Sequence, residues 1–173
     1  MDRNGFPKGD FFITNVKTGL RLTAVPGGTS VLATANNKAG DEIVYSRTAN
    51  PDPVLTAPLP SGKNGLQGWY FDDTVEHYRG VARNILVNRM KFDDRGRFAL
   101  DGGDWAQMSG AGRDEIAQWK FEDGLISAKW SYAPHYLTAT PTGEKGGFGV
   151  EYLEAALLPG YTELAKWEIT PFS

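Results

Sequence analysis

The side chains that could do catalytic chemistry in this chain are its histidines, serines and carboxylates. His77 and His135 have no histidine partner at i+2 or i+4, so a metal site would need distant carboxylates. No Gly-x-Ser-x-Gly motif is present. The adjacent acids at 72–73 and 93–94 would point to opposite faces of a strand or cap turns, which does not favour a glycosidase pair. We therefore expect no enzyme activity, no metal and no cofactor.

Composition and charge narrow the classes of partner. The 173-residue chain has 18 Lys and Arg against 21 Asp and Glu and no basic run, so we expect no nucleic-acid partner. No apolar run approaches the roughly 18 residues of a membrane-spanning helix, so we expect no membrane insertion. Zero Cys residues exclude disulfides and cysteine chemistry. No signal peptide follows Met1, which predicts a cytoplasmic protein or a mature secreted form.

Three tryptophans mark a repeat in the sequence. Trp69, Trp119 and Trp167 lie in similar segments, about 50 residues apart. Before each lies a run of β-branched and aromatic residues, a Gly-containing turn and a second such run, which is typical of paired strands. A third strand, predicted at 41–47, 105–109 and 149–154, precedes each Trp strand. Four strands per unit make twelve in all.

Three four-stranded units around a pseudo-threefold axis predict an all-β fold, the β-trefoil. One domain would span residues 1–173, with repeats at roughly 5–82, 83–124 and 125–173. The three Trp rings would lie in its core. The first repeat is the longest because it contains a Pro-rich insertion, which we place at residues 48–65.

The chain resembles the ricin B-chain-like (R-type) β-trefoil lectins. The resemblance extends from Gly5 to Phe172 and rests on the three Trp segments, which correspond to the family's Gln-x-Trp strand, and on residues 5–13 and 38–45. It implies that the chain binds glycans or small sugars through one shallow pocket per unit. Each pocket would combine an acid after the second strand, an aromatic platform near the third, and an Asn or Gln close to the Trp. The ring would stack on the apolar face of the sugar while the polar groups bind its hydroxyls.

The resemblance places its best site in the first unit. Tyr45 would stack on the sugar, Gln67 and Asn64 would donate to its hydroxyls, and Thr23 stands where the acid is expected. In the second unit Asp101 would accept from the sugar. Structural roles are the alternatives: Gln67 could bond to a loop backbone, and Asp101 could cap the turn that follows it.

The third unit has its own candidates. Tyr152 or Tyr161 could act as platform, and Glu151 and Glu154 as acceptors. A shallow pocket predicts weak binding at each site, so useful avidity would come from several sites or from a dimer.

Two other functions fit the same sequence. Residues 48–65 could present an extended segment to a protein partner, as a protease inhibitor does. The remaining alternative is a trefoil that has lost sugar binding and acts inside a larger assembly or as an unusual enzyme, and it predicts a pocket with convergent polar groups away from the three family positions. Of the three, we favour the lectin.

Overall fold

The structure, a computed structural model, describes residues 4–25, 29–31, 43–45, 52–56, 64–72, 77–78, 81–82, 84–92, 96–102, 106–110, 116–130, 133–145 and 151–171. The regular elements in these ranges are mainly strands of two to eight residues, in keeping with the 21 Gly and 10 Pro residues, and the longest strand has 13 residues. The strands are β1 Asp10–Asn15, β2 Arg21–Val25, β3 Thr29–Val31, β4 Ile43–Tyr45, β5 Asp52–Thr56, β6 Trp69–Asp72, β7 His77–Tyr78, β8 Val81–Ala82, β9 Ile85–Phe92, β10 Gly96–Asp101, β11 Gln107–Gly110, β12 Trp119–Glu122, β13 Leu125–Trp130, β14 Ala133–Lys145, β15 Glu151–Leu158 and β16 Trp167–Pro171.

The all-β prediction is confirmed over these ranges. Two 3-10 helices, η1 Asn64–Gln67 and η2 Glu163–Ala165, each come just before a strand that begins with Trp. No helix among the described residues is long and apolar enough to cross a bilayer.

Most of the described strands belong to one antiparallel sheet. Strand β1 pairs with β2, β6 and β16, and β6 pairs in turn with β9. Hairpins continue from β9 through β10 to β11, and from β12 through β13 and β14 to β15. Isolated contacts connect these two series of strands. The Trp119 amide in β12 donates to the carbonyl of Asn84, which precedes β9 (3.0 Å), and Leu125 in β13 forms a single bridge with Lys166, which precedes β16.

The three tryptophans make the same contact in the core. Their indole Nε1 atoms donate to main-chain oxygens of the second strand of each unit, Trp69 to Leu22 (3.0 Å), Trp119 to Leu100 (2.9 Å) and Trp167 to Leu137 (2.9 Å). All three rings are buried in one cluster with the surrounding leucines and phenylalanines. The prediction that they are core residues is confirmed, and the indole bonds satisfy their polar atoms there.

The strand that pairs with β2 in the first unit lies later than the sequence predicts. Residues 43–45 form β4, which pairs with β3, whereas β5 pairs with β2 over five positions and with β15 at Val54 and Leu55. Pro53 led us to assign this segment to a loop, but it lies near the start of β5, where a strand tolerates the missing N–H. Residues 48–65 therefore contain a core strand whose Leu55 is fully buried, and the rest of the predicted protein-binding loop, apart from 64–65, lies outside the described residues.

Two buried asparagines join segments that lie far apart in the sequence. Asn15, at the end of β1, donates from Nδ2 to the Leu164 carbonyl in η2 (2.9 Å), and Asn88, in β9, donates in the same way to Leu66 in η1 (2.9 Å). Each carbonyl belongs to the residue three positions before a Trp. Asn15 and Asn88 lie opposite Trp167 and Trp69 in the sheet, and Ala128, opposite Trp119, has no side-chain amide.

We expect Asn15→Ala to lower the free energy of unfolding by about 1–3 kcal/mol, because buried partners lose their hydrogen bonds. Asn88→Ala removes the equivalent bond and is the matched control for stability in urea denaturation. Only Asn15→Ala should speed amide hydrogen exchange around η2, because only Asn15 bonds to Leu164. Equal acceleration around η2 in both variants would contradict this assignment.

Candidate functional site

Thr23 and Gln67, two of the residues proposed for the first-unit pocket, lie together and are fully buried. The Gln67 amide donates to the Thr23 hydroxyl (3.1 Å), and that hydroxyl donates to the Arg21 carbonyl (3.1 Å). The Arg21 guanidinium lies 3.7 Å from the centre of the Phe12 ring, where burial lowers its pKa, and it donates to Gln67 Oε1 (3.4 Å). These bonds give both residues an internal structural role, while a contact with sugar stays a prediction.

Asp101 lies at the end of β10 and is also buried. Its carboxylate accepts from the Gly102 amide (2.8 Å), the Ser109 hydroxyl (2.8 Å) and the Ala117 amide (3.0 Å). It therefore caps the turn after β10 and fastens β11 and the segment before Trp119 to that turn. A sugar contact here stays a prediction too.

Tyr45 and Asn64 are described through their backbones alone. Tyr45 pairs with Thr29 in the β3–β4 hairpin, and Asn64 begins η1. Their side chains, like those of Tyr152, Glu151 and Glu154, lie outside the described residues.

A groove lies over the outer face of β12, β13 and the start of β14. Side chains alternate in these strands: Trp119 and Ile126 point into the core, so their neighbours Lys120 and Ser127 point outward. The register places Lys120 beside Ser127, and Ser127 beside Tyr136 on β14. The groove has a volume of about 340 Å³, and its other lining residues are Glu122, Asp123, Leu125, Pro134 and Tyr161.

Tyr161 forms one wall of the groove. The residue is 57% exposed, and its ring meets the Tyr136 ring edge-on, with centroids 5.1 Å apart and an interplanar angle of 70°. The next residue, Thr162, is the N-cap of η2 and accepts from the Leu164 amide (3.2 Å). Because Asn15 also holds Leu164, the loop that carries Tyr161 is anchored to β1 just beyond the ring.

Charges surround the two rings. Lys120 and Glu122, two residues apart on β12, form an exposed ion pair. Asp123 follows in a tight turn with a φ of 55°, completed by Gly124 with a φ of 78°. Lys166 crosses this turn: its Nζ donates to the Asp123 main-chain oxygen (3.1 Å) and lies 5.8 Å from the centre of the Tyr161 ring. The Lys166 side chain thus connects the turn at Asp123 and Gly124 to the Tyr161 wall of the groove.

Comparison with known proteins identifies solved structures that share the fold of this chain. No family model matches the sequence, and no curated protein is significantly similar to it. Among solved structures, an earthworm lectin C-terminal domain, a mutant in complex with 6'-sialyllactose, has a TM-score of 0.57 at 13% identity and covers 95% of this chain and 98% of its own. The chain shares the fold of that lectin domain. The mdaA-1 domain, solved in solution, has a TM-score of 0.57 at 16% identity, with 96% and 91% covered. A Caenorhabditis elegans protein of unknown function has a TM-score of 0.51 at 10% identity, with 95% and 94% covered.

The groove can bind a ligand that has both an apolar face and hydrogen-bonding groups. Tyr161 and Tyr136 offer ring surface, the carboxylates of Glu122 and Asp123 accept, and Ser127 both donates and accepts. No three His, Asp or Glu side chains come together as a metal site in the described part of the chain.

Sequence reasoning identified one of these groups and missed the others. Tyr161 was a candidate platform, and the structure places it in the groove. Glu122 and Asp123 were overlooked because the family pattern seeks an acid after the second strand of a unit, whereas these two lie at the turn after a Trp strand. The alternation in Trp119-Lys120-Phe121-Glu122 could have identified Glu122, because it places Lys120 and Glu122 on the face opposite the buried Trp119.

Proposed function

We propose that this chain is a carbohydrate-binding module with a β-trefoil fold, and that it binds sugar in the groove beside Tyr161. The observation that carries the proposal is the exposed Tyr161 ring, fixed edge-on against Tyr136 and flanked by carboxylate and hydroxyl groups. Tyr161 is one of the platforms expected for the third unit, whereas the carboxylates beside it, Glu122 and Asp123, are not among the acids expected there.

The β-trefoil assignment is supported by the repeated core contacts. Each of three units supplies a Trp whose indole donates to a leucine carbonyl of the same unit. Antiparallel pairing joins β1 to β6, β6 to β9, β12 to β13 and β16 to β1, and isolated contacts connect the residue before β9 to β12 and the start of β13 to the residue before β16. Similarity of fold to a lectin domain points in the same direction, although a fold alone does not define a ligand.

The chemistry of a pyranose matches the groove. One face of the ring carries C–H groups that stack on an aromatic side chain, and the rim carries hydroxyls that donate to carboxylates. Tyr161 is preorganised by Tyr136 and by the capped helix η2, so little side-chain freedom is lost on binding. An open groove of about 340 Å³ holds one or two sugar rings and encloses neither, so single-site affinity should be weak, with a Kd on the order of 1 mM.

Tyr161→Ala is expected to weaken sugar binding at least about tenfold, since it removes the stacking ring from the centre of the groove. Titration followed by NMR shifts or calorimetry suits this range, with lactose and an N-acetylglucosamine trimer as probes. Tryptophan fluorescence is a poorer readout, because Trp69, Trp119 and Trp167 lie in the core and none of them lines the groove.

Two further variants control this experiment. Tyr161→Phe keeps the ring and should retain most of the binding, and Val16→Ala truncates an exposed apolar side chain that does not line the groove. All three variants should unfold at nearly the wild-type denaturant concentration, since both positions are exposed. If Tyr161→Ala binds as well as the wild type, the groove is not the sugar site.

A further inference from the structure

Tyr161 belongs to a run of exposed residues between the last two strands. Residues 158–163 are all exposed, and this segment joins β15 to η2. The N-cap bond of Thr162 fixes the backbone beside Tyr161, but the direction of the ring depends on contacts of the side chain itself. An exposed side chain with few contacts keeps several rotamers. Tyr136 supplies one contact that restricts the ring, edge-on.

Lys166 supplies a second contact with the Tyr161 ring. Its Nζ lies 5.8 Å from the centre of the ring, within the range in which an ammonium group is attracted to an aromatic face. Lys166 is not among the residues that line the groove, so it meets the ring from outside the proposed sugar site. The contact therefore restrains the ring without occupying the space of a ligand.

Lys166 is itself held by other parts of the chain. Its main-chain oxygen accepts from the Val16 amide (3.0 Å), and its backbone bridges to Leu125 in β13. Its Nζ donates to the Asp123 carbonyl (3.1 Å) in the turn between β12 and β13. The backbone and the ammonium group are thus both attached to the sheet, and the ammonium group connects the exposed Tyr161 ring to that fixed frame.

We propose that Lys166 is a positioning residue of the sugar site, which holds the Tyr161 ring in the orientation that forms the wall of the groove. The inference rests on the proposed function and adds a residue that acts through Tyr161 without touching the sugar. A ring that is held before the ligand arrives loses less rotamer freedom on binding. Lys166 therefore raises the affinity although it adds no contact with the ligand.

Lys166→Met is expected to weaken the binding of lactose and of an N-acetylglucosamine trimer by about two- to fivefold, the usual effect of an exposed cation–π contact. Methionine keeps the unbranched stem but has neither the charge nor the donor. Lys166→Arg keeps both and should retain most of the binding. Lys17→Met is the matched control and should leave binding unchanged, because Lys17 pairs with Glu163 of η2 (3.3 Å) and does not line the groove.

The orientation of the ring can be measured without any sugar. NMR relaxation of isotope-labelled tyrosine rings reports their mobility, and the Tyr161 signals are identified by their absence from Tyr161→Phe. We expect a more mobile Tyr161 ring in Lys166→Met than in the wild type, in Lys166→Arg or in Lys17→Met. A residue that served stability alone would shift the midpoint of urea denaturation and leave the mobility of this ring in the native state unchanged.

The outcomes separate this inference from the proposed function. Unchanged ring mobility or unchanged affinity in Lys166→Met, or equal losses in Lys166→Arg and Lys166→Met, would overturn the positioning role and leave the sugar site in place. If neither sugar binds the wild-type chain, the proposed function fails, and the ring measurement alone decides whether Lys166 holds Tyr161. A more mobile ring with weaker binding, both restored in Lys166→Arg, supports the proposal.

Discussion

Replacing Trp119 with alanine is expected to lower the free energy of unfolding by about 3–5 kcal/mol, the usual result of truncating a large buried ring. The ring is fully buried in the main core cluster, and its Nε1 is bonded to the Leu100 carbonyl at 2.9 Å. Its backbone also joins neighbouring segments, because the Trp119 amide donates to Asn84 and its carbonyl accepts from the Asn4 amide. Chemical denaturation followed by circular dichroism measures the loss directly.

Trp119→Phe separates the two contributions of the indole. Phenylalanine keeps much of the apolar contact but leaves the Leu100 carbonyl without its donor, so we expect an intermediate loss of about 1–3 kcal/mol. Since the three Trp residues make equivalent bonds, Trp69→Phe and Trp167→Phe should cause similar losses. A loss below about 1 kcal/mol for Trp119→Ala would mean that this ring is not part of the core.

Gly5→Ala is expected to destabilise the protein by about 2–5 kcal/mol, because two separate costs coincide at this position. Gly5 has a φ of +90°, which a residue with a Cβ adopts only with strain. A Cβ there would also lie 1.8 Å from the Phe121 carbonyl oxygen on β12. To relieve that clash the N-terminal segment must move off β12, which breaks the bond from the Phe121 amide to the Asn4 carbonyl (2.8 Å).

Gly9→Ala is the matched control for this prediction. Gly9 has nearly the same φ, +86°, but among the described residues, its two chain neighbours aside, no heavy atom lies within 4 Å of the position that a Cβ would take. It should therefore cost only the backbone strain, about 1–2 kcal/mol. The difference between the two variants in thermal or urea denaturation reports the steric contact on β12. Equal losses would show that the close approach of Gly5 to Phe121 does not exist in solution.

Features that repeat along the chain could be predicted from the sequence, because similar segments at regular spacing support the same structural interpretation. The three core Trp residues were predicted in this way, and their rings are buried as expected. The all-β class followed from the runs of β-branched and aromatic residues between turn residues. The third strand of the first unit was misplaced because Pro53 resembles loop sequence when its position in the sheet is unknown. Burial of Leu55 between β2 and β15 depends on partners far along the chain, which no local pattern reveals.

The candidate site was harder to predict for a physical reason. A binding groove of this kind consists of outward-facing residues from neighbouring strands, such as Lys120, Ser127 and Tyr136, which come together only through the register of the sheet. Conversely, Thr23, Gln67 and Asp101 looked available because their side chains are polar. In the structure these side chains form hydrogen bonds with other groups of the protein, and the sequence alone does not indicate those partners.

The pairing of β1 with β16 has a consequence for synthesis on the ribosome. These strands match at five successive positions, from Phe11 opposite Pro171 to Asn15 opposite Trp167, and Asn15 also reaches Leu164. A nascent chain that has emerged only as far as β15 would therefore expose one edge of β1 and leave the Asn15 amide without its acceptor. Contacts over so many residues form late and favour slow folding. The free edge of β1 is covered only after β16 has been synthesised. A ribosome that stalls shortly before β16 would therefore leave unpaired β1 backbone groups available to chaperones or to other chains.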